Sequence, residues 1–271
     1  MAAPGATPLG HDVALGLIDA SVTYRGGVKA MLPVSIGFTA GAFTVLLGPS
    51  GAGKSTMLRS LNGLVALSEG SVWSREGGVV QGGAAWRAHR RRCGMVFQQH
   101  QLIGRLSALA NVLMGRLGHH GSLRTLWPFT RAEKRLALEA LERVGLLEHA
   151  LRRVDQLSGG QQQRVGIARA LAQTPSVILA DEPVASLDPA TAERVLGLLH
   201  RICREDGLTA VVSLHQVDFA RRFADRIVGI AGGRIVFDGR PEALDDEAVG
   251  RIYGTVPAAL SLTPQEDLEV A

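Results

Sequence analysis

Phe43-Thr-Val-Leu-Leu-Gly48-Pro-Ser-Gly-Ala-Gly53-Lys54-Ser55-Thr56 is the stretch that decides the fold. The run FTVLL carries no polar alternation, so it reads as a strand buried on both faces, in the interior of a sheet. It leads into G-x-x-x-x-G-K-[ST], and a helix from Lys54 to about Leu61 is expected to follow, which is the strand-to-helix context this motif requires. The glycines let the backbone curl so that successive N–H groups point at a phosphate, and the helix dipole adds partial positive charge. Gly48, Pro49, Ser50, Gly51, Ala52, Gly53, Lys54, Ser55 and Thr56 are therefore the candidate phosphate cradle. Within it Lys54 would neutralise β/γ oxygens and Ser55 would ligate Mg²⁺. A Gly-rich turn that binds nothing is the bland alternative, and the flanking pattern argues against it.

Val177-Ile-Leu-Ala-Asp181-Glu182 reads as a second buried strand, ending in two carboxylates. Asp181 would hold Mg²⁺ through water, and Glu182 would face an attacking water as general base. An apolar run ending in Asp-Glu is common at strand ends; only its pairing with the phosphate loop gives it a chemical reading. Leu157-Ser-Gly-Gly-Gln161 precedes an amphipathic helix read from Gln162 to Gln173, with Val165, Ala168, Leu171 and Ala172 inward. It offers a second helix N-terminus with bare glycine N–H groups, although Ser-Gly-Gly in isolation is merely a turn or a cap.

Working outward, Val13, Leu15 and Leu17 alternate as a half-buried strand does, and so do Val34, Ile36 and Phe38. Residues 1–11, rich in Ala, Gly and Pro, are expected to be disordered, with order beginning near Asp12. Thr130 and Glu133 make a capping box, after which Leu136, Ala137, Ala140, Leu141 and Val144 recur at helical spacing until Gly145. Ala210 to Leu214 reads as a further strand, and Ile227 to Ile230 with Arg234 to Phe237 as a hairpin turning at Gly232-Gly233. Strands alternate with helices, which argues for an α/β core. Residues 255–271 are expected to be a frayed tail.

Composition bounds the rest. With 46% hydrophobic and 20% charged residues, 271 residues can bury one large core or two intimately packed subdomains. No apolar run approaches the roughly 18 residues that cross a bilayer, and Met1 to Gly10 lacks a signal pattern. The excess of 29 basic over 25 acidic residues is weak, and the one dense basic run, Arg87 to Arg92, lacks the aromatics that stack on bases. It reads as a solvated face, and no nucleic-acid partner is expected. Cys93 and Cys203 stand alone, outside disulfide or zinc spacing.

Taken together, the phosphate loop, Leu157-Ser-Gly-Gly-Gln-Gln-Gln-Arg164, Ile178-Leu-Ala-Asp-Glu-Pro183, Ser186-Leu-Asp-Pro189 and His215 occur in the order that marks ABC ATPases. The chain resembles that family over roughly Val13 to Gly239. The resemblance implies an α/β P-loop NTPase core with an N-terminal antiparallel β subdomain and an inserted α-helical subdomain at about 99–164, within a domain spanning 12–254. It implies ATP and Mg²⁺ as cofactors and a head-to-tail homodimer, in which Ser158, Gly160 and Gln161 touch the γ-phosphate bound by the partner. By the same resemblance Gln98 senses Mg²⁺ and the lytic water, His215 contacts the γ-phosphate, and Asp188 links the two sites. Tyr24 falls where an aromatic stacks on adenine, against the plainer reading of a packing residue.

The finer resemblance, to the ATPases of phosphonate importers, rests on Phe97-Gln-Gln99, Leu102-Ile-Gly-Arg-Leu-Ser107, Asn111-Val-Leu-Met-Gly115, Ala180 to Pro189 and Leu214-His-Gln-Val-Asp218. Two positions depart from it: His100 and Gln101 replace an aromatic-Asn pair, and Val184 stands where Ile is frequent. The resemblance implies transmembrane permease subunits as partners, a periplasmic substrate-binding protein indirectly, and a peripheral place on the cytoplasmic face of the inner membrane. Importers of phosphate, phosphite or amino acids share the same motifs and stay open, as does a soluble ABC-like accessory protein of phosphonate breakdown. A DNA-repair or translation protein of the family would call for two cassettes or a nucleic-acid arm, and neither is visible in the sequence.

Overall fold

Apolar alternation at both ends of the N-terminal region builds β1 (Val13–Thr23) and β2 (Lys29–Thr39), an antiparallel pair whose inward side chains include Leu15, Leu17, Ile36 and Phe38. The computed structural model describes residues 9–98, 101–121 and 128–254; residues 1–8 and the tail 255–271 lie outside the described residues. The run FTVLL is β3 (Phe43–Leu47), buried at every position, and α1 (Lys54–Leu61) follows the glycine-rich loop. Next come β4 (Glu69–Ser74), β5 (Gly78–Val79), α2 (Gly82–Arg92) and β6 (Cys93–Val96). The middle of the chain is helical: α3 (Ala108–Leu113), α4 (Arg131–Arg143) and α5 (Gly159–Leu171) pack on one another. The remainder alternates as β7 (Val177–Asp181), α6 (Pro189–Glu205), β8 (Thr209–Leu214), α7 (Val217–Phe223), β9 (Arg226–Ala231), β10 (Arg234–Gly239) and α8 (Asp246–Tyr253).

Two sheets result. One is antiparallel in the order β2-β1-β4-β5; the other runs β10-β9-β3-β8-β7-β6 and is parallel except for its terminal hairpin. Alternate residues of the second sheet enter different cores, as the period of two requires. Leu46, Leu179, Val211 and Val228 pack with Met57, Leu58 and Leu61 of α1 and with the antiparallel sheet. Val45, Leu47, Ile178 and Val212 pack on the opposite side with Val165 and Ile167 of α5 and Leu196 and Leu199 of α6. Helix α1 is thus sandwiched between the two sheets, so its N-terminus has no freedom to drift. Because β3, β6, β7 and β8 are parallel, their carboxyl ends share one edge, where open α/β sheets bind ligands.

Local signals account for most boundaries. The hairpin turns at Gly232 and Gly233, with φ of 53° and 75°, the two positive values that a two-residue turn demands. That turn also braces the phosphate loop, since Gly233 N–H donates to Ala52 O at 2.9 Å. At α4 the Thr130 hydroxyl accepts Glu133 N–H at 3.2 Å while Glu133 Oε2 accepts Thr130 N–H at 2.8 Å. Burial opposes ionisation of Glu133, but Thr130 and His120 hydrogen-bond its carboxylate and bring its pKa down to about 2 from 4.5. A carboxylate with a depressed pKa stabilises the fold above its unfolded value of 4.5, and that contribution is lost as pH falls towards 2. Thr130→Ala is expected to cost about 1 kcal/mol in urea unfolding at pH 7, and the gap from wild type should narrow below pH 4.5. A gap independent of pH would separate the cap from Glu133.

Two sequence expectations are corrected. Helix α5 starts at Gly159, not Gln162, because Ser158 is its N-cap and forms a second capping box with Gln161. The basic run Arg87 to Arg92 is not simply a solvated face. His89 is buried against Leu61 O at 2.8 Å, and Arg90 donates to Asn62 O and Gly63 O while its guanidinium lies 5.5 Å from the Trp86 ring centre. These groups satisfy the carbonyls at the C-terminal end of α1, where cations are favoured. Cys93 and Cys203 are both buried, and burial pushes each thiol up to about 12.

Candidate functional site

The phosphate loop leaves β3 at Gly48, and a Cβ there would lie 2.2 Å from Ile230 O, a clash that excludes every other residue from the close approach of loop to β9. No side chain caps α1, and its first turn holds no acidic residue. Helices α4 and α5, by contrast, each satisfy their own first-turn N–H groups with a capping box. An uncapped helix start, aimed along the edge where the parallel strands end, is a ready anion site.

Inside the loop Lys54 is 3% exposed. Its ammonium donates to Gly48 O at 2.7 Å and Pro49 O at 2.9 Å and stands 3.5 Å from Glu182 Oε1. Burial lowers its pKa, while Glu182 and Asp181 push it back up. The loop therefore wraps a cation that, among the described residues, is balanced by Asp181 at the end of β7 and by Glu182 just after it.

Asp181, 1% exposed, is the most heavily bonded of these groups. Its Oδ1 accepts Ser55 Oγ at 2.7 Å and Ser213 Oγ at 3.1 Å; its Oδ2 accepts Arg59 Nε at 3.1 Å and Nη2 at 2.9 Å. Ser55 and Asp181 bring a hydroxyl and a carboxylate within 2.7 Å of each other, a hard-oxygen pair. Such a pair suits Mg²⁺, which takes one or two protein oxygens and completes its shell with phosphate and water. Glu182 follows with φ +45°, so β7 bends sharply after Asp181 and the Glu182 side chain turns back to Lys54.

The other expected residues come from separate elements. Tyr24 is 44% exposed just beyond β1, with its hydroxyl 3.3 Å from Thr56 Oγ1, so its ring stands beside the start of α1. Gln98 and His215 follow β6 and β8, are exposed, and form no side-chain hydrogen bond or ion pair among the described residues. Gln98 lines a cavity of about 730 Å³ with Gln101, Leu102, Val154, Asp155, Gln162 and Ser186. Asp188 is the N-cap of α6, its carboxylate accepting Thr191 N–H at 3.0 Å, and the bonds from Thr191 hold its pKa below the ordinary value.

Ser158, Gly160 and Gln161 stand apart. Ser158 Oγ accepts Gln161 N–H at 3.3 Å, Gln161 Oε1 accepts Ser158 N–H at 2.9 Å, and no hydrogen bond or ion pair joins this turn to residues 48–56 among the described residues. One chain thus presents a phosphate loop with its carboxylates, and separately a second glycine-bearing helix start.

Sequence reasoning missed three contributors. Arg59 clamps Asp181 from one turn along α1. Ser213 hydrogen-bonds both Asp181 and the Glu182 N–H; a lone hydroxyl near the end of the apolar run Thr209-Ala-Val-Val-Ser213-Leu214 is the signal that could have found it. Tyr253 of α8, whose pKa burial raises to about 12, donates to His215 O at 2.6 Å and so ties down the loop that carries His215.

The family model described as ABC transporter matches residues 31–185. The phosphite import ATP-binding protein of Stutzerimonas stutzeri is 61% identical over 263 residues, covering 96% of this chain and 95% of that one. A phosphonates import ATP-binding protein of Nostoc sp. is 57% identical over 234 residues, covering 86% and 89%. Among solved structures, an ATP-binding cassette in a dimeric post-hydrolysis state bound to ADP and Pi superposes with a TM-score of 0.73 at 36% identity, covering 84% of this chain and 98% of that chain.

Proposed function

Because the chain belongs to the ABC transporter family of ATP-binding proteins, we propose that it is the ATP-hydrolysing subunit of an importer of phosphonates, driving uptake through a separate permease. The observation that carries the reading is the convergence of Lys54, Ser55, Asp181 and Glu182 at the mouth of an uncapped helix, with Ser55 Oγ 2.7 Å from Asp181 Oδ1. A second reading, uptake of phosphite, is favoured by the 61% identity to the phosphite import protein over 96% of this chain.

In this reading the loop N–H groups from Ser50 to Thr56 bind the phosphates of ATP, and Lys54 trades the Gly48 and Pro49 carbonyls for phosphate oxygens. Ser55 and Asp181, with Gln98, would hold Mg²⁺, which would supply charge neutralisation at the phosphates when bound. Glu182 accepts the proton of the attacking water, and His215 contacts the γ-phosphate. Tyr24 offers its exposed face to adenine.

Ser158, Gly160 and Gln161 complete the site of a second copy, which accounts for their separation from the phosphate loop of their own chain. ATP then contacts both chains only in the closed pair, so it favours closure, and loss of the γ-phosphate removes the bridging contacts. Asp188 links the two sites across that pair. The cavity beside Gln98 receives a permease segment, so the conformation of the pair is transmitted to the membrane-spanning partner. In this reading the permease holds the subunit peripherally, on the cytoplasmic face. No helix among the described residues is long and apolar enough to cross a membrane.

The test is ATP hydrolysis by the transporter reconstituted with its permease and binding protein, against a panel of alkylphosphonates, phosphite, phosphate and amino acids. Stimulation by alkylphosphonates is the expected outcome, and stimulation by phosphite alone selects the second reading. A response only to phosphate or an amino acid would overturn both.

A further inference from the structure

We propose that Ser213 is the positioning residue that aims Glu182, through one hydroxyl shared between Asp181 and the backbone of Glu182; the inference rests on Glu182 being the general base. Ser213 is fully buried in β8 and sits in register beside Asp181 of β7. Its Oγ donates to Asp181 Oδ1 at 3.1 Å and accepts Glu182 N–H at 2.9 Å. A serine hydroxyl has one proton, so the bond to Asp181 Oδ1 fixes which way it points, and the lone pair left over faces the Glu182 N–H.

That N–H sits at a strained bend. Strand β7 ends at Asp181, and Glu182 adopts φ +45°, one of four non-glycine residues with positive φ among the described residues. Side chains rarely occupy this region unless the surroundings enforce it. The bend turns the Glu182 carboxylate back toward Lys54, with Oε1 3.5 Å from Nζ. Ser213 supplies the acceptor that a continuing strand would have found in a neighbouring carbonyl, and so holds the bend. One hydroxyl thereby couples the carboxylate that also accepts Ser55 Oγ to the direction of the base. Its effect belongs to turnover, because its hydroxyl bonds Asp181 and Glu182 and, among the described residues, forms no hydrogen bond to the phosphate loop or to Tyr24.

The experiment compares Ser213→Ala, Ser213→Cys and Ser213→Thr with wild type and with Glu182→Gln, the fold of each established by circular dichroism and thermal unfolding. In Ser213→Ala, kcat is expected to fall roughly 10- to 100-fold, the scale of a misplaced catalytic group, with KM for ATP within about twofold. Hydrogen exchange of the nucleotide-free protein should quicken at the Glu182 amide, and Ser213→Thr, which keeps the hydroxyl, should restore part of kcat. Should Ser213→Ala fail to fold, the near-isosteric Ser213→Cys carries the test, with the same lowered kcat and preserved KM.

Wild-type kcat in a folded Ser213→Ala or Ser213→Cys overturns the proposal, as does a loss confined to KM. Near-normal hydrolysis by Glu182→Gln removes the base assignment itself. A kcat loss in Ser213→Ala beside an active Glu182→Gln overturns the inference too, since Ser213 would then act through Asp181 alone.

Discussion

Glu182→Gln is expected to lower steady-state ATP hydrolysis by roughly 10²- to 10⁴-fold, the contribution of a positioned general base, while leaving nucleotide binding intact. The substitution keeps the size of the side chain and the bend at φ +45°, together with the N–H bond to Ser213. It removes only the negative charge that could accept a proton and that faces Lys54 at 3.5 Å. In the proposed reading ATP contacts both copies in the closed pair, so a variant that binds but cannot hydrolyse should accumulate as a nucleotide-bound dimer. Size-exclusion chromatography with light scattering, in ATP and after its removal, reads this directly. Continued turnover, or a strictly monomeric variant in saturating ATP, would contradict the reading of the site as shared between two chains.

Lys54→Ala should act one step earlier and weaken ATP binding. The ammonium is 3% exposed and is the cation that the loop encloses. Truncating one partner of a buried charged contact costs about 3 kcal/mol, roughly 100-fold in Kd. Titration with a fluorescent ATP analogue measures it, and the variant should be neither dimerised by ATP nor active. Near wild-type affinity in a folded Lys54→Ala would remove the loop from the site. The two variants therefore separate cleanly: one binds and stalls, the other does not load.

Much of this was legible along the chain because it depends on neighbours in sequence. The buried run Phe43–Leu47 and its glycine-rich exit, the Thr130 capping box and the Gly232-Gly233 turn are each settled by hydrogen bonds and backbone geometry spanning a few residues. The start of α5 at Gly159 was equally local, since Ser158 and Gln161 cap each other three residues apart, but the two glycines between them read as a loop. Helices α2, α6, α7 and α8 escaped the reading, although α6 carries a legible start in Asp188 followed by Pro189.

Residue types and spacing by themselves determined the α/β core, the phosphate loop, the paired carboxylates and the separate Ser158 turn, since each is a short motif whose chemistry travels with its own backbone. Tertiary structure alone decided what those groups touch. Arg59 and Ser213 reach Asp181 only because α1 lies against the sheet and β7 pairs with β8 in one register, and Arg90 reaches the end of α1 only because α2 folds back over it. These contacts join positions 27 to 122 residues apart. Spacing within a motif cannot encode them, because they arise from sheet register and helix packing set by the whole buried core.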